Sequence, residues 1–362
     1  MSKAAELAKW GEVSTNGQVS GRRNIIINGG MNVAQRSASV TDIGAAAGYF
    51  TVDRWNIAPS GTAGRLTMTQ TADGPSGFAN CLKLDCTTAD TSIAAGELLI
   101  LRQSLEGQDI QQIKKGTSDA ELITLSFYVK ANAAFTFGCE LDDRDNTRQI
   151  TKLFATTTDW VRHEITFPAD TTGALDDDNA DSLNVNFWIH AGATYTGGTL
   201  NTAAWASRTN ANRAAGIDSF YSSTDNNFFI TGVQLEVGSV ATPFEHRSFG
   251  EELALCQRYF QARIGQQAVA AGVWFNAAEV LANFSFLKEM RAAPTMSVSS
   301  ADWGKAYLDS AARATNDTSV FDAISTMSAR MYIQTFAVNG TAGQGTMIQL
   351  LSSEYIYADA EL

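Results

Sequence analysis

Between Asn24 and Phe244, apolar residues recur at every second position in short runs, and this period limits the fold more than any other feature. Ile123, Leu125, Phe127 and Val129 alternate with Thr124, Ser126 and Tyr128. Phe135, Phe137, Cys139 and Leu141 repeat the pattern, as do Val161, His163, Ile165 and Phe167, and then Leu183, Val185, Phe187 and Ile189. Successive side chains of a strand point to opposite faces, so each run lays one apolar face on a core. The polar segment Asp142 to Asn146 reads as a turn joining two of these strands into a hairpin, the second from Arg148 to Phe154. A strand from Phe228 to Val237 is interrupted by Gly232, which predicts a bulge. With no βαβ rhythm, the pattern predicts an antiparallel β-sandwich. The stretches Asp170 to Asp181 and Ala191 to Asp225 read as surface loops.

The flanks differ. Ser2 to Trp10 predicts one short helix with Leu7 and Trp10 on a single face, a candidate for docking onto another chain, and Gly11 to Gly21 reads as a linker. Ser248 followed by Glu251 matches a capping box and predicts a helix from Glu251 to Gln261. Alternation then returns at Phe284 and Phe286, Met296 and Val298, Met331 and Ile333, around Phe336, and from Met347 to Tyr357. The expected division is an anchoring segment and linker over 1–21, a sandwich over 22–246, a junction helix over 247–262 and a smaller β-domain over 263–362. The last residues are expected to belong to the fold.

Composition narrows the function classes. The 362 residues carry a net charge of −12, which opposes the phosphate backbone and argues against a nucleic-acid partner. No run of apolar residues is long enough for a membrane helix, so membrane insertion is not expected. The opening Met1 to Glu6 has no apolar core of a secretion signal. Cys81, Cys86, Cys139 and Cys256 form no CxxC pair; they read as small buried apolar residues, with a Cys81–Cys86 bridge conceivable only across a tight turn.

The strand Leu183 to His190 is the most informative place to look for a ligand. If its apolar residues face inward, Asn184, Asn186, Trp188 and His190 share the other face, where an indole could stack on a sugar and its neighbours could bond hydroxyls. The competing reading places Trp188 under a long loop or in a subunit interface, and it carries more weight. His163 reads as a core histidine and His246 as a hydrogen-bonded hinge residue. The runs Asp142 to Asp145 and Asp176 to Asp181 have the oxygens a calcium ion uses, yet the second lacks the glycine and glutamate of an EF-hand loop, so solvated turns are the better reading. No GxSxG, HExxH or P-loop motif is present, and no cofactor is implied. The aromatics Trp274, Phe275, Trp303, Tyr307, Tyr355 and Tyr357 read as core and subunit seam, with a receptor-binding tip as the alternative.

Several segments resemble a family of marine bacteriophage structural proteins, tail-fibre or virion proteins: Arg22 to Met31, Val52 to Trp55, Leu125 to Lys130, Gly232 to Glu236, Pro243 to Arg247, Cys256 to Phe260 and Ala358 to Leu362. The sandwich also resembles a carbohydrate-binding-module jelly roll. That larger family holds a structural calcium with carboxylates which Asn28 to Asn32 and Thr231 to Leu235 lack. The resemblance implies a mainly β protein with a central jelly roll, assembled in a host cytoplasm into a virion. Homotrimerisation, contact with other virion proteins and attachment to a host surface glycan go with it. Three readings compete: a tail-fibre subunit, a capsid-bound fibre or decoration protein, and a glycan-degrading enzyme.

Overall fold

A computed structural model describes Lys3 and residues 22–300, 302–308, 311–314, 320–334 and 340–362. The candidate anchoring residues Leu7 and Trp10 lie outside the described residues, as does Phe336. The chain is mainly β and divides into two units, residues 1–252 with Leu362, and residues 253–361.

The first unit is a jelly-roll sandwich. Its six-stranded sheet contains β1 (Ser39–Ile43), β4 (Arg65–Thr71), β5 (Cys81–Thr88), β13 (Asn227–Val237), β7 (Ile123–Ala131) and β10 (Val161–Phe167), in that spatial order. The facing seven-stranded sheet runs β12 (Ala206–Ser207), β9 (Arg148–Ala155), β8 (Thr136–Asp143), β11 (Asp181–Ala191), β6 (Leu98–Glu106), β3 (Asn56–Ser60) and β2 (Gly48–Tyr49). All pairings are antiparallel, and β8 and β9 form the expected hairpin. The alternation is obeyed: Leu125, Phe127, Val129, Phe137, Cys139, Leu141, Leu183, Val185, Phe187 and Ile189 all enter one apolar core. There Phe127, Phe154 and Phe187 meet edge to face. The bulge in β13 falls between Thr231 and Gln234, where Gly232 takes φ 62°.

Residues 24–33, nearly all buried, form no strand, so side chains join neighbouring backbone in meeting their backbone groups. Gln103, an inward-pointing polar residue of β6, bonds both the amide and the carbonyl of Ile27, each at 2.8 Å. Asn28 accepts from the amides of Asn32 and Val33 and donates to the carbonyls of Val33 and Asp53. Glu245 receives the amides of Arg23 and Asn24, while Glu252 receives that of Asn28. Two of the segments that carried the family resemblance, Arg22 to Met31 and Pro243 to Arg247, therefore meet as structural staples.

Two expectations need correction. The helix α2 covers Phe249–Cys256 and stops short of Gln261, because Phe260 to Ile264 pairs as a strand with Tyr355 to Asp359. Its capping box is present, with Glu251 accepting from the amide and hydroxyl of Ser248. The stretch 191–225 is not a simple surface loop: Trp205, Ala214, Phe220 and Tyr221 within it are buried.

The second unit contains β14 (Phe260–Ile264), β23 (Tyr355–Asp359) and β17 (Thr295–Val298) in one sheet. Another, seven-stranded among the described residues, runs β19 (Ala311–Ala314), β18 (Gly304–Leu308), β22 (Gly345–Leu350), β15 (Ala268–Trp274), β16 (Glu279–Ser285), β21 (Ser328–Gln334) and β20 (Val320–Asp322). Trp274 and Trp303 are fully buried in its core with Phe284, Met331 and Ile348, whereas Phe275 is exposed and Tyr355 stacks on Tyr357. Among the described residues, no helix is long and apolar enough to cross a membrane.

Candidate functional site: the covered polar face of the seven-stranded sheet

Strand pairing aligns the outward side chains of the sandwich's seven-stranded sheet into rows. Asn56, Arg102, Asn186, Glu140 and Thr151 stand opposite one another on the adjacent strands β3, β6, β11, β8 and β9. Beside them Ser104, Asn184, Asp142 and Gln149 form a second row. On the other side Ala58, Ile100, Trp188, Gly138 and Leu153 form a third, largely apolar one.

The sequence expectation of an outward face holding Asn184, Asn186, Trp188 and His190 is met in direction and corrected in exposure. All four are buried, Trp188 and His190 completely. What covers them is the 191–225 stretch. It begins with the short helix α1 (Ala193–Thr196), whose Tyr195 ring lies 5.2 Å from the Trp188 ring. Ala214 and Ile217 complete a small apolar cluster around the indole, and the Arg213 guanidinium lies 4.9 Å from its ring centre. The backbone is tied down as well, with the Thr151 amide donating to the Asn201 carbonyl at 3.1 Å. A large apolar ring on an outer sheet face gains by burial, and this stretch supplies the cover. In this arrangement Trp188 offers no bare ring for a sugar.

Beneath the cover lies a charged network. Glu140 and Asp142, two residues apart on β8 and both buried, face the same way. Arg213 bridges them, with Nε and Nη2 each 2.8 Å from the Glu140 oxygens and Nη2 3.1 Å from Asp142. Arg208 adds a fork to Asp142 at 2.9 and 3.1 Å. Glu140 also accepts from the Asn186 amide at 2.9 Å and from the Trp188 indole N–H at 2.8 Å. Burial, reinforced by the neighbouring Glu140, pushes the Asp142 carboxyl above the usual carboxylate range, against the pull of Arg213, Arg208 and Arg144. His190 bonds Ser219 at 2.8 Å through Nδ1, and its Nε2 lies 3.4 Å from Glu97. Burial holds His190 below the usual imidazole range, although Glu97 and Asp90 draw the other way.

Unmet hydrogen-bonding capacity gathers on this face. Asn56 Oδ1, Arg102 Nε, Asn184 Oδ1, Asn186 Oδ1, Thr151 Oγ1 and both amide atoms of Gln149 are buried without a protein partner. A buried polar atom left unmet costs about 1–3 kcal/mol. Polar atoms closed off in this way are the ones that buried water satisfies in folded proteins.

Asn56, Arg102, Glu140, Gln149, Arg208 and Arg213 were not singled out in the sequence, and Asp142 only within an acidic run weighed for calcium and read as a solvated turn. The alternation of Phe137, Cys139 and Leu141 already implied outward-facing Glu140 and Asp142, but Asp142 read as part of a turn. The other predicted sites behave as ordinary structure. Asp143 binds the buried Lys115 ammonium, while Asp145 and Asp178 accept backbone amides. Among the described residues, no group of three or more His, Cys, Asp or Glu is placed to hold a metal ion. All four cysteines are buried and none is in a disulfide; burial raises Cys81 and Cys86 to about 11 and Cys139 to about 12. His163 packs between Phe127 and Phe154, and His246 against Phe78 and Phe244.

No family model matches the chain, and no curated protein matches it. Among solved structures it is similar to a family 4 carbohydrate-binding module, at 12% identity over 58% of this chain and 97% of that one, with a TM-score of 0.30. A family 61 module in complex with β-1,4-galactotriose aligns at 9% identity over 60% of this chain and 99% of that one, TM-score 0.31. The enzymatically active domain of bacteriophage CBA120 tailspike protein 4 aligns at 11% identity over 59% of this chain and only 21% of that one, TM-score 0.31. Likenesses this distant do not bear on what the chain does.

Proposed function

We propose that this chain is a non-catalytic virion subunit of a bacteriophage, a tail-fibre component that contacts a glycan through the outer face of its seven-stranded sheet. The observation that carries the glycan reading is the polar row across this face, in which half-buried Arg102, without a hydrogen bond to another described residue, stands between Asn56 and Asn186. Polyhydroxylated ligands meet such groups in pairs, donor to acceptor. The virion assignment is supported by the resemblance of the segments quoted above, most of them within residues 22–261, to phage structural proteins. Binding without chemistry fits the engagement of both outward carboxylates of β8 by Arg213. Display in several copies, as in a homotrimeric fibre, would turn weak contacts into firm attachment.

The test is a glycan array followed by calorimetry with the full chain. We expect binding to a subset of glycans and at least a tenfold loss, about 1.4 kcal/mol, for Arg102→Gln in a protein of unchanged melting behaviour. A folded chain inert across the array, or an Arg102 variant that binds as well as wild type, defeats the glycan reading. Cryo-electron microscopy of the intact particle tests the rest: density on the tail supports a fibre subunit, whereas density on the capsid replaces it with a decoration protein. Cleavage of a bound polysaccharide defeats the non-catalytic part.

A further inference from the structure

Large apolar side chains left exposed gather in the smaller, second unit, and four of them share one face. The seven-stranded sheet of that unit turns Trp274, Val280, Met331, Ile333 and Ile348 into the core, so the alternate positions of the same strands point outward. Val320, Tyr332, Leu281 and Val273 stand opposite one another there, on the adjacent strands β20, β21, β16 and β15. Met347 on β22 lies one row along, opposite Ala271, and Phe275 follows Val273 by two residues in the other direction. Val273, Phe275, Val320 and Met347 are 38%, 59%, 50% and 43% exposed. Single exposed apolar residues are ordinary, but a contiguous apolar row across a sheet marks a contact surface.

The charges around the row say what would cover it. On the strands from β18 across to β20 this face carries Lys305, Glu279, Arg330 and Asp322, two cations and two anions. Arg330 forks onto Asp322 at 2.6 and 2.5 Å, and Glu279 accepts from Gln334 at 3.2 Å and from Asn276. Lys305, towards the opposite side of the sheet, makes no ion pair with a described residue. A strongly acidic or basic partner finds no complement in such a face. A second copy does. An axis along the strands, two-fold or three-fold, would bring the β18 side of one copy to the β20 side of the next, so that Lys305 approaches Asp322 while the apolar rows meet. Net charge points the same way. Residues 253–361 hold seven Lys and Arg against nine Asp and Glu, whereas the rest of the chain holds 19 against 29. Copies therefore repel chiefly through their first units and can close through their second.

We propose that this face is an interface between copies of the chain, with the Val273 row of one copy packed on that of the next and Lys305 beside its neighbour's β20. The proposal rests on the several-copy display above and names the surface that holds the copies together, independently of any glycan.

The experiment is sedimentation equilibrium of the full chain over a dilution series, with melting curves to check that each variant is folded. The wild type is expected at the mass of two or three chains. Val273→Asp and Val320→Lys, both at exposed positions, should each raise the dissociation constant about tenfold or more. Ile93→Asp, at an exposed apolar residue of the first unit, should leave it unchanged. Lys305→Glu should weaken association by a smaller factor that shrinks as salt is raised. An oligomer unmoved by both Val273→Asp and Val320→Lys overturns this face and leaves display in several copies standing, as does an equal loss for Ile93→Asp. One that responds to them but not to Lys305→Glu overturns the side-to-side arrangement. A wild type that stays a single chain at every concentration overturns the proposal, and the copy number seen in the intact particle then decides the several-copy reading by itself.

Discussion

The outer faces of the two sheets of the sandwich start from the same alternating pattern and end as opposites. On the six-stranded sheet, Lys83, Phe229 and Lys130 align across β5, β13 and β7, and Trp160 sits at the entry to β10. Each cation there rests against a ring and is closed by a nearby carboxylate: Lys130 lies 4.6 Å from the Phe229 ring centre and 2.6 Å from Asp73, and Lys83 lies 2.7 Å from Asp85. These groups remain in touch with water. On the seven-stranded sheet the polar groups are more deeply buried, denser, and not all paired. The difference teaches that polarity alone does not mark a site. A solvated face can leave its polar groups to water, whereas a covered face must pair them, and the atoms it leaves unmet are the informative ones.

The contrast can be broken by mutation. Arg213→Ala takes the cation from buried Glu140, leaving Asp142 to Arg208 and Arg144, and should cost about 3–5 kcal/mol, read as a large drop in the denaturant midpoint. Should the loss stay below about 1 kcal/mol, as for surface pairs, the covered face would be no different from a solvated one. Trp188→Phe keeps an aromatic ring but removes the indole donor to Glu140, and about 1–3 kcal/mol is expected from the acceptor left short. On the opposite face, Lys130→Ala opens a part-exposed pair with Asp73 and should change stability by less than about 1 kcal/mol.

Acidity sharpens the comparison further. His190, under the cover, and His163, beside the core, are both held below the ordinary imidazole range, chiefly by burial. The unfolded chain takes up protons first as pH falls through about 6.5, so folding stability conferred by the neutral rings is present above that pH and is lost below it. Thermal melts between pH 7.5 and 5.5 should show a modest decline, and His190→Asn should flatten part of it. A melting temperature independent of pH over this window would contradict neutral burial of these rings.

Much of the fold was legible because the period of two is a direct consequence of strand geometry. Leu183, Val185, Phe187 and Ile189 point inward as their spacing demands, and the bulge at Gly232 falls where the alternation fails. The end of α2 was harder to place, since the pairing of Phe260 with Asp359 spans most of a unit and outweighs the helical spacing of local residues. The site was legible only by direction. That Asn186 faces away from the core follows from alternation. That Arg102 stands beside it follows from the register of β6 against β11, strands distant in sequence, which no local pattern encodes. The cover depends on a few apolar residues, Tyr195, Ala214 and Ile217, scattered through a polar stretch whose composition read as solvent-facing.

The clamp on residues 24–33 also sets a timetable. The amides of Arg23 and Asn24 find their acceptors on Glu245, 222 and 221 residues later, and that of Asn28 finds its acceptor on Glu252 after 224. At roughly 5–20 residues per second, a ribosome delivers those carboxylates more than ten seconds after the amides they serve. The opening segment of the sandwich is therefore the last to be locked. A nascent chain halted before Glu245 carries Ile25, Ile26 and Ile27 without the carboxylate closure, open to pairing with foreign sheets.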